Sequence, residues 1–232
     1  MPDMPDLILL HGALGAGSQL DPLADALRSA FRVWQLDFEG HAGAPSRGRP
    51  FRIKHFAENA RDLMEREGIR QAGIFGYSMG GYVAVHMAAE SPERVDGVAT
   101  LGTKFRWDAP TAAREAGRLD AATIRAKVPR FAEALQARHA PAGGWEAVLA
   151  HTADFLRDLG DHTPLTDAVL RRIQQPVRII VGDRDNTVSA DESAAVAAVL
   201  PSGSHTVLAN TPHPIEQVEV AALGGLLLEF FR

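Results

Sequence analysis

The sequence predicts an α/β protein: a doubly wound, mostly parallel sheet of about six strands that carries a helical insertion. Three observations predict this fold. Short apolar segments alternate along the chain with longer amphipathic ones. The short segments are apolar throughout, as strands covered by helices on both faces are. The length of 232 residues fits one domain with a modest insertion.

Six segments are the candidate strands, each rich in Val, Ile, Leu or Phe and bounded by turn-forming residues. They are Leu7–Leu10, Phe31–Leu36, Ala72–Tyr77, Val95–Leu101, Val177–Gly182 and His205–Ala209. Helical patterns lie at roughly residues 20–29, 54–67, 79–90, 164–173, 189–200 and 214–231. Ser189 and Glu192 fit a capping box at one helix start. Pro214 fits the first turn of the last predicted helix.

One segment interrupts the alternation of strands and helices. From residue 104 to 163 no strand is indicated, and helical stretches are broken by proline and glycine. A connection of about sixty residues is too long for a plain loop. We therefore predict a core formed by residues 1–103 and 164–232, with a helical cap insertion at 104–163. Because the insertion leaves and re-enters at strand carboxyl ends, we expect it to cover the ligand site and to supply substrate-binding side chains, with Trp107 and Trp145 the largest.

Composition and charge exclude several classes of protein. A net charge of −5 and a pI near 6.0 argue against nucleic acid as a partner. No apolar run is long enough to cross a membrane. The acidic start does not have the pattern of a signal peptide, so we expect a cytoplasmic protein. The absence of cysteine excludes disulfides, thiolate catalysis and Cys-ligated metals. The histidines have no metal-ligand spacing. The oligomeric state is not indicated.

The most informative motif is Gly76-Tyr77-Ser78-Met79-Gly80, which joins a predicted strand to a predicted helix. It has the G-x-S-x-G pattern of a nucleophile elbow. A sharp turn strains the serine backbone, and the flanking glycines relieve collisions where strand and helix meet. The turn exposes the Ser78 hydroxyl at the carboxyl edge of the sheet. It also directs the Met79 N–H, at a helix start, toward a developing negative charge.

Two further motifs follow the last two predicted strands. Gly182-Asp183-Arg184-Asp185 comes after the fifth strand, and His213 comes after the sixth. A serine is a weak nucleophile until a base takes its proton, and a carboxylate orients that base. The chain order Ser…Asp…His is the one that accompanies this elbow. Taken singly, such an Asp is often a turn residue and such a His is often idle.

The glycine-rich turn after the first strand has a second interpretation. Gly12-Ala-Leu-Gly15-Ala-Gly17, with Asp37 at the end of the next strand, is close to a dinucleotide-binding fingerprint. However, the glycine order is G-x-x-G-x-G, which does not match. The Tyr-x-x-x-Lys pair of a reductase with the variant order is also missing after Tyr77. We therefore predict no nucleotide cofactor.

Together these motifs resemble the α/β-hydrolase fold superfamily over the whole chain except residues 104–163. The resemblance implies Asp185, three residues after the strand-end glycine, as the acid, with Asp183 the lesser candidate. It implies His213 as the base, and the backbone N–H groups of Ala13 and Met79 as the oxyanion hole. It also implies a serine hydrolase that acts on a small ester-like carbonyl substrate through an acyl-enzyme, with no cofactor and no metal.

Other functions on this fold stay open. The stretches from Gly76 to Gly81 and from His11 to Gly15 also resemble C–C bond hydrolases and lyases, of the menaquinone-synthase or diketone-hydrolase kind. A non-catalytic ligand receptor is a further alternative. Lys104 and Arg106 follow a strand end and could bind a carboxylate. The chain departs from the family in reaching its first motif after one strand, so the antiparallel pair that usually precedes it is not expected.

Overall fold

The computed structural model describes residues 4–232, and residues 1–3 of the acidic start lie outside it. Six strands pair in parallel in the order β2-β1-β3-β4-β5-β6. This confirms the predicted doubly wound α/β fold. The strands are β1 (Asp6–Leu10), β2 (Arg32–Gln35), β3 (Ala72–Tyr77), β4 (Val95–Leu101), β5 (Val177–Arg184) and β6 (Gly203–Pro212).

Helices connect successive strands and cover both faces of the sheet. They are α1 (Asp21–Leu27), α2 (Ile53–Arg66), α3 (Met79–Glu90), α4 (Ala109–Ala116), α5 (Ala121–Lys127), α6 (Pro129–His139), α7 (Trp145–Asp161), α8 (Asp167–Leu170), α9 (Ala190–Val199) and α10 (Val220–Phe231). No helix within residues 4–232 has both the length and the apolar character needed to cross a bilayer.

Two apolar layers, one on each side of the sheet, explain the continuously apolar strands. Successive side chains of a strand point to opposite faces. In β1, Leu7 and Leu9 pack into the layer that contains α1 and α10, whereas Ile8 and Leu10 pack into the layer that contains α2 and α3. All four side chains are fully buried. Both faces of a central strand must therefore be apolar.

The ends of some predicted helices are wrong, because side chains cap the chain elsewhere. The last helix does not start at Pro214: a short 3-10 turn follows, and α10 begins at Val220 with Glu219 as its N-cap. The Glu219 carboxylate accepts the N–H groups of Ala221 and Ala222, which fixes the start there. The helix predicted over 164–173 is reduced to the single turn of α8.

The predicted capping box at α9 is only half formed. The Ser189 hydroxyl accepts the Glu192 N–H at 3.1 Å, as an N-cap does. The Glu192 carboxylate does not reach back to Ser189. It accepts the backbone N–H groups of Phe105 and Arg106 at 3.0 and 3.1 Å and pairs with Lys104 at 2.9 Å. Glu192 thus anchors the chain where it leaves β4.

Residues 104–163, between β4 and α8, contain α4 to α7, and α4 packs against α7. This helical insertion contacts the core through apolar rings and several ion pairs. The rings of Phe155 in α7 and Phe56 in α2 lie 5.9 Å apart. Asp158, also in α7, pairs with Arg52 at 2.8 Å. These contacts place the insertion over α2, on the side of the sheet that carries the strand carboxyl ends.

Candidate active site

Ser78 lies on a strained turn between β3 and α3. Its φ of 51° and ψ of −116° lie outside the regions that a serine normally adopts. The strain is imposed by close packing, because a Cβ at Gly76 would overlap the Gly80 backbone and a Cβ at Gly80 would overlap the Leu10 backbone. The Ser78 N–H donates to the Leu101 carbonyl at 2.8 Å, which ties the turn to β4.

Asp185 follows the end of β5 and has three hydrogen-bond partners. Its Oδ1 accepts the backbone N–H groups of Thr187 and Val188 at 2.7 and 2.9 Å. Its Oδ2 lies 2.7 Å from Nδ1 of His213. Burial alone would raise the pKa of the Asp185 carboxyl, but the hydrogen bond and charge of His213, with the two N–H donors, bring that pKa below its usual value. Asp185 is therefore ionised at neutral pH.

His213 follows the end of β6 and is oriented by two contacts. The carboxylate of Asp185 fixes its Nδ1 side, and the Tyr77 hydroxyl donates to its backbone carbonyl at 3.0 Å. The alternative acid, Asp183, has another partner: its Oδ1 accepts the Thr211 N–H at 3.0 Å. His205, which the sequence placed in the last predicted strand, lies within β6.

A cavity of about 360 Å³ opens at the carboxyl edge of the sheet. Ser78, His213, Ala13 and Met79 all line it. Among the hydrogen bonds of residues 4–232, none uses the backbone N–H of Ala13 or of Met79. Two residues whose backbone N–H groups have no protein partner thus line the same cavity as the serine and the histidine. This arrangement can hold a carbonyl oxygen that becomes negatively charged.

The helical insertion contributes much of the apolar wall of this cavity. Its apolar lining side chains are Trp107, Leu119, Phe131, Phe155, Leu156 and Leu159. The core adds Leu14, Ile53 and Tyr82. A concave, mostly apolar wall with a few polar groups is typical of small-molecule sites.

Of the two tryptophans predicted to bind substrate, only Trp107 lines the cavity. Trp145 lies away from the cavity lining. Its side chain is 1% exposed, packs within the apolar core and lies under the guanidinium of Arg125. An amphipathic pattern identifies a buried face, but it does not say whether that face meets substrate or other helices.

The candidate carboxylate-binding residues Lys104 and Arg106 already have carboxylate partners in the protein. Lys104 lines the cavity but pairs with Glu192 at 2.9 Å. Arg106 pairs with Asp167 at 2.5 Å. Both cations therefore form ion pairs that join the insertion to the core.

The sequence analysis did not identify a cluster of three polar side chains that line the cavity. The cluster consists of Gln19, Arg138 and Glu216. The Gln19 amide donates to the Glu216 carboxylate at 2.5 Å, and the Arg138 guanidinium reaches the same oxygen at 3.4 Å. Glu216 lies three residues after His213, which is a local signal. Arg138 has no such signal, because its partners are distant in sequence.

His11 also has a role that the sequence motif did not reveal. Its Nε2 accepts the Phe38 N–H at 3.0 Å, so its Nδ1 carries the proton and donates to the Gly12 carbonyl at 2.8 Å. Burial lowers the pKa of His11 to about 4, so the ring is neutral at physiological pH. His11 joins the turn after β1 to the turn after β2. No cluster of metal-ligating side chains lies among residues 4–232.

The family model of the α/β hydrolase fold matches residues 5–144. The chain belongs to this family. A curated relative, the magnesium-chelatase 30 kDa subunit of Rhodobacter capsulatus, is 28% identical over 254 residues, covering 99% of this chain and 88% of the relative.

Two other comparisons name hydrolases. The pimeloyl-[acyl-carrier protein] methyl ester esterase of Chromobacterium violaceum is 31% identical over 103 residues, which are 44% of this chain and only 39% of that esterase. The structure of a 2-hydroxy-6-oxo-6-phenylhexa-2,4-dienoate hydrolase from a Rhodococcus strain superposes with a TM-score of 0.80 at 24% identity, covering 98% of this chain and 90% of that chain. The chain is thus an α/β hydrolase with esterase-like relatives.

Proposed function

We propose that this protein is a serine hydrolase that cleaves small, ester-like acyl substrates through Ser78, His213 and Asp185. One observation supports this most directly: the 2.7 Å contact between His213 Nδ1 and Asp185 Oδ2 belongs to a histidine that borders the same cavity as Ser78. An ionised Asp185 requires the proton on Nδ1, which leaves the Nε2 lone pair free to act as a base.

In the proposed reaction, Ser78 Oγ attacks the carbonyl carbon while its proton passes to His213 Nε2. The carbonyl oxygen becomes an oxyanion, which accepts the N–H groups of Ala13 and Met79. When the tetrahedral intermediate collapses, His213 gives the proton to the departing alcohol oxygen and an acyl-enzyme remains. Water then attacks the acyl group, its proton passes to His213, and that proton returns to Ser78 as the carboxylic acid leaves.

The lining of the cavity favours an uncharged, apolar acyl group. Apolar side chains of the insertion dominate one side. Its charged lining residues have partners within the protein: Arg118 pairs with Glu115 at 2.7 Å, and Arg138 donates to the Leu14 carbonyl at 2.9 Å. An anionic acyl group would have to compete with these protein partners for the two arginines.

C–C bond hydrolysis is the second candidate, because two arginines of the insertion, Arg118 and Arg138, border the cavity. Such an enzyme would need an arginine to bind a substrate carboxylate. Because both guanidinium groups already bind partners within the protein, C–C bond hydrolysis is less well supported than ester cleavage. A vinylogous diketone assayed beside the esters separates the two, since it yields a carboxylic acid and a ketone product only in the second case.

The test combines p-nitrophenyl esters of graded chain length with fluorophosphonate labelling. Ser78→Ala should lower kcat by several orders of magnitude and abolish labelling, because the hydroxyl contributes chemistry and little packing. Ser202→Ala, on the exposed surface, is the matched control and should behave as the wild type. A Ser78→Ala enzyme that keeps more than about a tenth of the wild-type kcat contradicts the serine mechanism. A folded wild type that neither labels nor turns over favours the ligand receptor.

A further inference from the structure

The turn that carries the proposed oxyanion donor Ala13 is held in an unfavourable backbone conformation. The Gly15 N–H donates to the Gly12 carbonyl at 3.1 Å and closes a four-residue turn. Its third residue, Leu14, has a φ of +58°. Glycine or asparagine normally occupies such a position, because a leucine side chain is strained there. Contacts from outside the turn must therefore stabilise it.

Those contacts come from the end of α6, in the helical insertion. The carbonyl of Leu14 accepts two hydrogen bonds, one from Arg138 Nη1 and one from His139 Nε2, both at 2.9 Å. The two donors are consecutive in sequence and lie more than a hundred positions from their acceptor, since the His139 contact spans 125 residues. The insertion thus holds the carbonyl of Leu14, the residue that follows Ala13.

The ring of His139 is itself fixed in orientation and tautomer. Its Nδ1 accepts the Ala42 N–H at 3.0 Å, so the ring proton lies on Nε2 and donates to Leu14. Ala42 is another non-glycine residue with positive φ, at +45°. The His139 side chain is fully buried. One imidazole therefore connects α6 to the turn after β1 and to the turn after β2.

We propose that Arg138 and His139 are positioning residues for the oxyanion hole, which hold Leu14 so that the Ala13 N–H faces the cavity. This inference rests on the proposed function of Ser78. It assigns to the helical insertion a role in the chemical step in addition to lining the cavity. The oxyanion hole is complete only while the end of α6 contacts the core.

The test compares His139→Ala, His139→Gln and Arg138→Met with the wild type. Losing one oxyanion donor outright lowers kcat by about 10²–10³-fold. Because these residues act through Leu14, we expect His139→Ala and Arg138→Met each to lower kcat about 10- to 100-fold with KM changed less than threefold. His139→Gln should recover most of the loss, because its amide can donate to Leu14 and accept from Ala42. Arg130→Gln, an exposed position on the same helix, is the control and should leave kcat unchanged.

A second readout separates positioning from a general structural role. A trifluoromethyl ketone inhibitor forms an oxyanion with the serine, so its Ki should rise by the same factor as kcat falls. If His139→Ala does not fold, Arg138→Met carries the test, since it keeps the packing of the side-chain stem. Unchanged kcat and Ki in folded variants overturn the positioning role alone. A wild type without Ser78-dependent turnover overturns the proposed function, and the positioning role with it.

Discussion

Replacement of Asp185 by asparagine tests the proposed chemistry most sharply, because the structure dictates how the new side chain must sit. The Asp185 Oδ1 accepts two backbone N–H groups, from Thr187 and Val188. The amide oxygen of an asparagine would take that position, since only an oxygen can accept them. The amide NH₂ then faces Nδ1 of His213, where Oδ2 was 2.7 Å away.

The consequence is a change of tautomer in an otherwise intact site. An NH₂ donor requires Nδ1 of His213 to accept, so the ring proton moves to Nε2. The nitrogen that should take the serine proton is then already protonated. Loss of the carboxylate at such a triad costs about 10⁴ in kcat. This factor corresponds to about 5 kcal/mol of transition-state stabilisation.

The assay is the hydrolysis of the best p-nitrophenyl ester under saturating conditions, with folding checked by thermal denaturation. Asp183→Asn is the matched control. Its Oδ1 accepts the Thr211 N–H, a bond that an asparagine oxygen can keep, so we expect less than a tenfold loss. A greater loss in the Asp183 variant than in the Asp185 variant would refute the assignment of the acid. So would an Asp185→Asn enzyme with more than about a tenth of the wild-type kcat.

Three further predictions concern stability and selectivity. The pKa of His11 is about 4 in the folded chain against 6.5 as a free side chain, so the unfolded chain binds the proton first as pH falls. Stability should therefore be lost between pH 6.5 and 4, by up to about 3 kcal/mol, and denaturant titrations of His11→Gln should show a smaller loss over that range. Leu159→Ala removes part of the cavity wall, so the ester with the highest kcat/KM should have a longer acyl chain than it has for the wild type. An unchanged order of kcat/KM across the ester panel would contradict this. Glu39→Gln leaves the Arg49 guanidinium without its buried carboxylate and should cost about 3 kcal/mol of unfolding free energy, whereas a change below 1 kcal/mol would contradict it.

The parts of the fold that could be predicted from sequence are those specified by neighbouring residues. The ends of β3, β4 and α3 coincide with their predicted bounds, because each boundary is marked by a change in apolar pattern or by the elbow glycines. Strand β2 is one residue shorter at each end than predicted, and β6 extends to Pro212. An edge strand is paired on one side only, so its ends depend on the partner strand.

In the candidate site, too, some residues could be predicted from sequence, and others depend on contacts between distant segments. Ser78 could be named from the elbow motif, whereas Asp185, in preference to Asp183, and His213 could be named from the family resemblance. In the structure each of the three directly follows a strand, and the carboxyl ends of parallel strands meet at one edge of a sheet. Trp145 was expected at the cavity and is instead buried away from its lining, because a helical pattern shows a buried face and leaves the neighbour of that face undetermined. Glu192 was expected to complete a local cap and instead binds the chain after β4, at a separation of 87 residues from Phe105.

The sequence by itself determined the fold class, the elbow and the order of the candidate catalytic residues, because periodicity and turn chemistry act over a few residues. Only the tertiary structure decided which side chains of the helical insertion reach the cavity. It alone showed that Arg138 and His139 hold the Leu14 carbonyl, and that His139 reaches Ala42 across 97 residues. The physical reason is that hydrogen bonds between distant segments depend on how helices pack against the sheet, and no local pattern records that packing.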